Sequence, residues 1–377
     1  MSKTTLQQLT DFGQSAWLDY IDRPLLETGK LQKLIDQGLR GMTSNPSIFN
    51  QAISNSADYD KKIAQLKAAG KSTFEIYDEL TIKDIQDACA IFAPVFESTN
   101  KLDGYVSLEI NPQIANNAEA SIREGKRLFI RVDRPNVMIK VPATEAGFPV
   151  IEELIASEMN VNVTLIFSPE QYAKTVEAYF RGLKRLEEVG GEISEVRSVA
   201  SVFVSRVDTL IDKLLSDKIN QTMDDPTKLL LQSLKGKAAV ANSKVIFEKY
   251  KELFEGEEFK AFAKNKANVQ RVLWGSTSTK NPEYSDIKYV TELIAAPTVN
   301  TIPEATLYAF LDHGQVKEAL TGKLADARSL FDQLRGQGID IDAVCARLLT
   351  EGVAAFDKAF VALSEAIDKK AAQLAAQ

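Results

Sequence analysis

Eight short apolar segments recur along the 377-residue chain, separated by longer segments with helical periodicity. We interpret them as buried parallel strands, because strands covered on both faces form continuous apolar runs and strand–helix alternation is typical of a parallel sheet. Eight units without a glycine-rich phosphate-binding motif favour a closed parallel (β/α)8 barrel over an open doubly wound sheet. The predicted strands are residues 16–20, 39–44, 105–110, 137–141, 161–167, 199–204, 269–275 and 291–295.

The pattern predicts one domain over residues 1–377, with helices added to the barrel. Residues 58–98 predict extra helices after the second strand, and residues 206–266 predict a helical insertion after the sixth. Residues 340–377 are alanine-rich and amphipathic, and they predict a C-terminal helix that packs across the barrel or against a partner. No segment is rich enough in glycine or proline to separate domains.

Two of the barrel helices can be described in more detail. Residues 24–38 place their leucines and an isoleucine near one face, which predicts an amphipathic helix. A second helix should begin at Ser168 as N-cap, with Pro169 as its first residue and Gln171 at the third, and stop at the glycines 190–191.

Composition limits the classes of function. The net charge of −7 argues against a broad nucleic-acid surface, although a local basic pocket remains compatible with it. The two cysteines lie far apart without a metal-ligand pattern, and the only histidine, His313, lies at a predicted helix end. Catalysis by a Ser-His pair or a histidine-bound metal is therefore not expected. No apolar run approaches the ~20 residues that span a bilayer, and the first twenty residues lack a signal-peptide core, so we expect a cytoplasmic protein.

Polar side chains concentrate at or just after the predicted carboxyl ends of the strands. Barrels of this class hold their catalytic groups there, and packing alone does not call for so many polar residues. Each residue also has a structural interpretation: Asn45 before Pro46 suits a helix N-cap, Thr164 suits a strand, and isolated basic residues are usually surface charges. The candidates are Asp19, Asn45, Glu109, Lys140, Asn162, Thr164, Ser201, Arg206 and Lys280.

Lys140 is the most informative of them, because it interrupts the apolar strand VMIKVP. A buried amine is costly unless it is needed, and a free amine can attack a ketone to form an imine. The imine acts as an electron sink, so a neighbouring carbon–carbon bond can break or form, with Asp19 and Glu109 available to move protons. Arg206 and Lys280 could hold a phosphate group. These residues fit an imine-forming aldolase acting on sugar phosphates, although the two carboxylates could instead neutralise Lys140 in a structural cluster.

Several longer motifs resemble those of the transaldolase family, particularly its longer bacterial and plant-type branch. They occur in the family's order between about residues 16 and 315. The resemblance implies a (β/α)8 barrel with a Schiff-base lysine on the fourth strand, and no cofactor or metal. It implies transfer of a dihydroxyacetone unit from fructose 6-phosphate or sedoheptulose 7-phosphate to an aldose phosphate, in the non-oxidative pentose phosphate pathway. The motifs are GMTSNPSIF, VSLEIN, VMIKVPAT, NVNVTLIFS, LWGSTSTKNPEYSD and AAPTVNTIP.

The resemblance also implies roles for individual residues. Lys140 would be the nucleophile, Asp19 the proton acceptor in carbon–carbon cleavage, and Glu109, with a water held near Thr164, would serve imine formation and hydrolysis. The residues implied to bind substrate are Asn45 for the donor hydroxyls, Asn162 and Ser201 for the terminal hydroxyl, and Arg206 for the phosphate. Where shorter transaldolases carry a second arginine, this chain has Lys280, which keeps the charge but lacks the bidentate fork.

Two alternatives remain open at this point. Fructose 6-phosphate aldolases, which release free dihydroxyacetone, look to carry tyrosine where this chain has Phe203 and glutamine in place of Glu109. Phe203 offers no hydroxyl to help water release the imine, which favours a transferase over a lyase. The other alternative is a non-catalytic sugar-phosphate-binding barrel. In every case we expect small-molecule sugar phosphates as partners, no nucleic acid or membrane, and a monomer or homodimer.

Overall fold

The computed structural model describes residues 3–322 and 324–375. Eight parallel strands follow one another in chain order around a closed barrel, and the first pairs with the last. The predicted (β/α)8 fold is therefore confirmed. The strands are β1 (Gln14–Asp19), β2 (Gly41–Thr43), β3 (Val106–Glu109), β4 (Val137–Pro142), β5 (Val161–Ile166), β6 (Ser198–Phe203), β7 (Arg271–Gly275) and β8 (Thr298–Ile302).

Helices surround the barrel and extend the connections after β2, β6 and β8. A short 3₁₀ helix at Pro112–Ile114 follows β3. The α-helices are α1 (Thr5–Phe12), α2 (Arg23–Glu27), α3 (Lys30–Asp36), α4 (Pro46–Ser54), α5 (Asp60–Ala68), α6 (Thr73–Ser98), α7 (Ala118–Val132), α8 (Gly147–Ala156), α9 (Pro169–Glu188), α10 (Ser205–Gln221), α11 (Asp225–Leu234), α12 (Ala238–Phe254), α13 (Glu257–Lys264), α14 (Lys288–Thr291), α15 (Glu304–His313), α16 (Leu324–Gly336) and α17 (Ile341–Ala375).

Seven predicted strands overlap the observed ones, but the eighth prediction, residues 291–295, is wrong. Leu293, Ile294 and Ala295 are buried, yet they lie in the connection between α14 and β8. A short buried run cannot be assigned to a strand by its apolarity alone. The strand begins after Pro297, which has no N–H to give to a sheet, and it is formed by the β-branched sequence TVNTI.

Of the two helices predicted in detail from the sequence, the structure divides one and confirms the start of the other. Residues 24–38 form two short helices instead of one, because the chain turns at Gly29, whose φ is 77°. That left-handed conformation favours glycine and interrupts a right-handed helix. The prediction for α9 is confirmed at its start, where the Ser168 hydroxyl accepts a hydrogen bond from the Gln171 N–H at 3.1 Å.

The helical segments after β6 and at the C-terminus occupy the positions expected of them. Helices α10 to α13 fill residues 205–264. Helix α17 covers most of the predicted C-terminal helix, whose residues 376 and 377 lie outside the described residues, as do residues 1, 2 and 323 of the predicted domain. Because α17 contacts α4, α5, α10 and the 3₁₀ helix after β3, it passes over the carboxyl ends of the strands.

A layer of buried apolar side chains crosses the barrel interior, and its position determines where the site lies. Trp17, Met138, Val199, Leu273 and Val299 belong to one buried cluster. Side chains two residues apart on a strand share a face, so Asp19 follows Trp17 and Lys140 follows Met138 towards the carboxyl end. Polar groups thus collect above an apolar layer that closes the barrel.

Candidate active site

Lys140 and Glu109 lie side by side in the upper barrel. They are register partners on β4 and β3, and their side chains are almost fully buried. Lys140 Nζ lies 3.7 Å from Glu109 Oε2 and donates a hydrogen bond to the Ser44 carbonyl at 3.2 Å. The amine is therefore held in place by a carboxylate on one side and a backbone oxygen on another.

Burial raises the pKa of Glu109 to about 7, and the positive charge of Lys140 opposes that rise. Glu109 Oε2 and Thr164 Oγ1 are both buried, and neither has a hydrogen-bond partner among the described residues. A carboxyl with such a pKa is close to half ionised at neutral pH, so it can both donate and accept a proton.

Asp19 ends β1 and is partly buried. Its Oδ1 accepts a hydrogen bond from the Thr43 hydroxyl at 2.7 Å, and the Thr43 oxygen lies 2.6 Å from that of Thr301. Burial raises the pKa of Asp19, while the charge of Lys140 and the Thr43 hydrogen bond oppose the rise. The carboxylate is thus oriented by a hydroxyl pair from β2 and β8.

A second group of hydrogen-bonded polar side chains comes from β3, β5 and β6. The Ser201 hydroxyl donates to Asn162 Oδ1 at 2.6 Å, and Asn162 Nδ2 donates to the Ser107 hydroxyl at 2.9 Å. All three side chains are buried. Asn162 is fixed on both sides and in turn fixes the hydroxyl of Ser201, a residue that lines the cavity.

These groups surround a cavity of about 240 Å³ that opens at the carboxyl end of the barrel. Asn45 lines it while also capping α4, because its Oδ1 accepts the Ile48 N–H at 3.0 Å. Of the residues predicted for the site, those that line the cavity are Asp19, Asn45, Lys140, Ser201, Phe203, Arg206 and Lys280. Glu109, Asn162 and Thr164 lie outside the lining, on neighbouring strands beside or behind it.

Two cations border this cavity. Arg206, in the first turn of α10, is partly buried with its guanidinium carbon 5.3 Å from the centre of the Phe203 ring. Burial lowers the pKa of Arg206, while the charge of Glu351 opposes that shift. Lys280 is exposed, on the loop after β7. Neither side chain forms an ion pair within the described residues, so both charges are available to an anion.

Eight lining residues are not among the predicted site residues: Thr43, Ser47, Gly275, Ser276, Ser278, Thr301, Pro303 and Phe356. Thr301 was missed because β8 was predicted too early in the chain. Ser47 and Ser278 follow two predicted strand ends, so their positions offered a signal. Phe356, on α17, offered none, since an apolar residue on an amphipathic helix is usually part of the core.

A larger cavity of about 650 Å³ lies elsewhere, between α12, α16 and the segment that includes Tyr284. Several of its lining residues are lysines, but none of them comes from a strand of the barrel. The smaller cavity is therefore the candidate active site, because it alone of the two combines the buried amine with a carboxylate and two cations.

Within residues 3–322 and 324–375, no helix is both long and apolar enough for a membrane crossing. Within the same residues, no three histidine, cysteine, aspartate or glutamate side chains are grouped so that they could hold a metal ion. His313 lies at the exposed end of α15, with Nε2 3.1 Å from Asp286 Oδ1.

The sequence is similar to a known protein family and to several known proteins. A family model described as Transaldolase/Fructose-6-phosphate aldolase matches residues 16–367. Transaldolase 2 from a Nostoc species is 44% identical over 374 residues, which cover 98% of both chains. Transaldolases from Trichodesmium erythraeum and Saccharopolyspora erythraea are 42% identical over 372 residues and 43% identical over 368, covering 98% and 97% of both chains respectively. The residues matched by the family model include all eight strands, except for the first two residues of β1.

Proposed function

This chain belongs to the transaldolase/fructose-6-phosphate aldolase family, and from that premise we propose that it is a transaldolase. It transfers a dihydroxyacetone unit from a ketose phosphate, either fructose 6-phosphate or sedoheptulose 7-phosphate, to an aldose phosphate. The acceptor is erythrose 4-phosphate or glyceraldehyde 3-phosphate, and the reaction proceeds through an imine on Lys140. The same proposal places the chain in the non-oxidative pentose phosphate pathway of the cytoplasm.

One observation carries the proposal: a buried lysine faces a cavity bordered by a carboxylate and two cations. Lys140 is 4% exposed and has Glu109 at 3.7 Å. Desolvation disfavours the charged form of an amine, and imine formation requires the neutral form. A proton passed from Lys140 to Glu109 gives a neutral amine and a neutral acid in the same place. The raised pKa of Glu109 makes that exchange less costly.

Glu109 then serves the dehydration of the carbinolamine. The hydroxyl on the former carbonyl carbon must leave as water, and a neutral carboxyl can supply the proton that it needs. The free oxygens of Glu109 and Thr164 suit a water held by hydrogen bonds. The same water and the ionised Glu109 can act in reverse when the imine is hydrolysed.

Asp19 serves the cleavage of the carbon–carbon bond. Cleavage requires removal of a proton from the hydroxyl beyond the breaking bond, while the imine takes up the electron pair. The Thr43 hydrogen bond orients the Asp19 carboxylate, and its raised pKa improves it as a base. Because Asp19 and Lys140 both line the cavity, a substrate attached to Lys140 can reach both groups.

The remaining residues are assigned to substrate binding. Asn45 keeps its amide N–H groups for donor hydroxyls, since its oxygen is already used by the cap of α4. Ser201, fixed by Asn162, faces the terminal hydroxyl of the dihydroxyacetone portion. Arg206 holds the phosphate, and Lys280 contributes a second, exposed charge. No cofactor is assigned, and the choice between monomer and homodimer stays a prediction.

The experiment mixes the protein with fructose 6-phosphate and borohydride, followed by intact mass and peptide mapping. We expect a reduced three-carbon adduct on the peptide that contains Lys140. Erythrose 4-phosphate added before the borohydride should discharge the adduct and yield a seven-carbon ketose phosphate. The variant Lys140→Met should give no adduct. The matched control is Lys288→Met, because Lys288 is also largely buried and paired but lies outside the cavity.

Each alternative predicts a different result. A lyase would release dihydroxyacetone faster than it transfers it. Phe203 argues against a lyase, because its side chain lines the cavity but has no hydroxyl to help water release the imine. A non-catalytic barrel would bind fructose 6-phosphate without an adduct. An adduct that persists in Lys140→Met would contradict the assigned nucleophile.

A further inference from the structure

We propose that Phe356 of α17 shields the Lys140 enamine from solvent, so that the bound three-carbon unit waits for an aldehyde acceptor. This inference rests on the proposed function, because it concerns an intermediate of that reaction. It assigns a role in specificity to a helix that follows the barrel in sequence and supplies none of its strands. Phe356 is 5% exposed and lines the candidate active site.

The Phe356 ring forms an apolar wall beside the nucleophile. Its centre lies 5.7 Å from Lys140 Nζ and 6.3 Å from the centre of the Phe203 ring. Phe203 in turn packs edge-on against Phe167 at 5.6 Å. The neighbours of the amine therefore divide into two kinds: polar groups that can move protons, and an aromatic cluster that cannot donate a proton.

The helix is held close to the barrel at this point. A Cβ built on Gly352, one turn before Phe356, would lie 3.0 Å from a methyl carbon of Leu165. Leu165 has a φ of 62° and lies where the pairing of β5 with β6 shifts in register. One turn beyond Phe356, Phe360 packs edge-on against Tyr77 of α6 at 5.1 Å, away from the cavity. The close approach of Gly352 to Leu165 thus fixes the depth at which Phe356 enters the site.

The chemistry explains what such a wall can control. After carbon–carbon cleavage the three-carbon unit remains on Lys140 as an enamine. In transfer, the enamine carbon bonds to the aldehyde carbon of the acceptor, and the aldehyde oxygen takes a proton. In loss, the enamine carbon takes a proton instead. A water oxygen then bonds to the carbon of the resulting iminium, and the carbon–nitrogen bond breaks to release dihydroxyacetone and the amine.

Only the loss pathway requires a proton on the enamine carbon. The water needed for product release can be the one that carbinolamine dehydration leaves beside Glu109, so both pathways can use it. Shielding the enamine from solvent protons therefore slows loss without slowing transfer. A bulky apolar ring 5.7 Å from the nitrogen suits that role.

The test compares dihydroxyacetone release from fructose 6-phosphate alone with transfer to erythrose 4-phosphate. Four proteins are used: the unaltered chain, Phe356→Ala, Phe356→Leu and Phe360→Ala. We expect Phe356→Ala to raise the ratio of release to transfer at least about tenfold, equivalent to about 1.4 kcal/mol between the two barriers. Phe356→Leu should stay near the unaltered ratio, because leucine keeps most of the apolar bulk. Phe360→Ala truncates the same helix away from the cavity and should leave the ratio unchanged.

Three results would overturn the inference. They are an unchanged ratio in Phe356→Ala, an equal rise in Phe360→Ala, and a rise in Phe356→Leu as large as in Phe356→Ala. The first would show that the ring does not control loss, the second that any loosening of α17 has this effect, and the third that bulk is not the cause. Failure of the proposed function is distinguishable, because the unaltered chain would then either form no borohydride-trapped adduct or release dihydroxyacetone faster than it transfers it.

Discussion

Removing the Lys140 amine should make the stability of the protein strongly dependent on pH. Burial already raises the pKa of Glu109 to about 7 from an ordinary value near 4.5, and the charge of Lys140 keeps it from rising further. In Lys140→Met that opposing charge is gone. The native pKa of Glu109 should therefore exceed 7, while the unfolded value does not change.

The direction in which stability changes with pH follows from the number of protons that the native and unfolded states bind. Between pH 4.5 and the native pKa, the native state holds a proton that the unfolded chain has lost. The free energy of unfolding therefore falls by about 1.4 kcal/mol for each unit of rising pH in that interval. If 7 is the lower bound for Glu109 in Lys140→Met, the loss between pH 5.5 and 8.5 is at least about 2 kcal/mol. Solvent screening should reduce this loss only slightly, because Glu109 is 6% exposed.

The assay is urea unfolding of Lys140→Met at pH 5.5 and 8.5. The control is the double variant Lys140→Met/Glu109→Gln, which has the same cavity but no titrating carboxyl. Asp19, whose charge also acts on Glu109, is present in both proteins, so the difference between their two pH-dependent losses reports Glu109 together with its coupling to Asp19. Equal losses in the two variants would refute the argument, because they would show that burial does not raise the pKa of this carboxyl.

Three other predictions follow from the same contacts. Asp19→Ala should keep the borohydride-trapped imine with fructose 6-phosphate but slow carbon–carbon cleavage about 10²–10⁴-fold, as for a lost general base; a variant unable to form the imine would mean that Asp19 and Glu109 have exchanged roles. Lys280→Ala should mainly raise KM for phosphorylated substrates in steady-state assays, and an unchanged KM would remove only its phosphate assignment. Ser168→Ala should cost about 1 kcal/mol in chemical unfolding through loss of the α9 cap, without changing KM; a loss near zero would show that another group replaces the cap.

The barrel could be predicted from the sequence because its strands are covered on both faces. Each strand then appears as an apolar run, and the helices between them have a different period. The same criterion failed at residues 291–295, where Leu293, Ile294 and Ala295, between α14 and β8, are also fully buried. Seven of the eight apolar segments predicted to be strands overlap observed strands, and the eighth does not. Only the β-branched residues after Pro297 distinguish the true strand.

The sequence predicts those parts of the candidate site whose positions follow from the barrel topology alone. Parallel strands bring their carboxyl ends together, so polar residues at those ends must be neighbours whatever the details of packing. That argument places Asp19 and Lys140 around one cavity. It cannot place Phe356, because the position of α17 depends on side-chain packing such as the approach of Gly352 to Leu165. No local pattern in the sequence encodes that approach.

The structural interpretation of the Lys140–Glu109 pair can be weighed against the functional one on energetic grounds. A pair present only to neutralise charge should hold its carboxylate firmly ionised, with a pKa below the ordinary value. Burial instead outweighs the attraction of Lys140, and the pKa of Glu109 rises to about 7. Glu109 also leaves one oxygen without a hydrogen-bond partner among the described residues. Hydrophobic side chains of similar size would cost less in this position. A fold that needed only a filled barrel gains little from this pair, whereas a reaction that moves protons at neutral pH can use a carboxyl that titrates there.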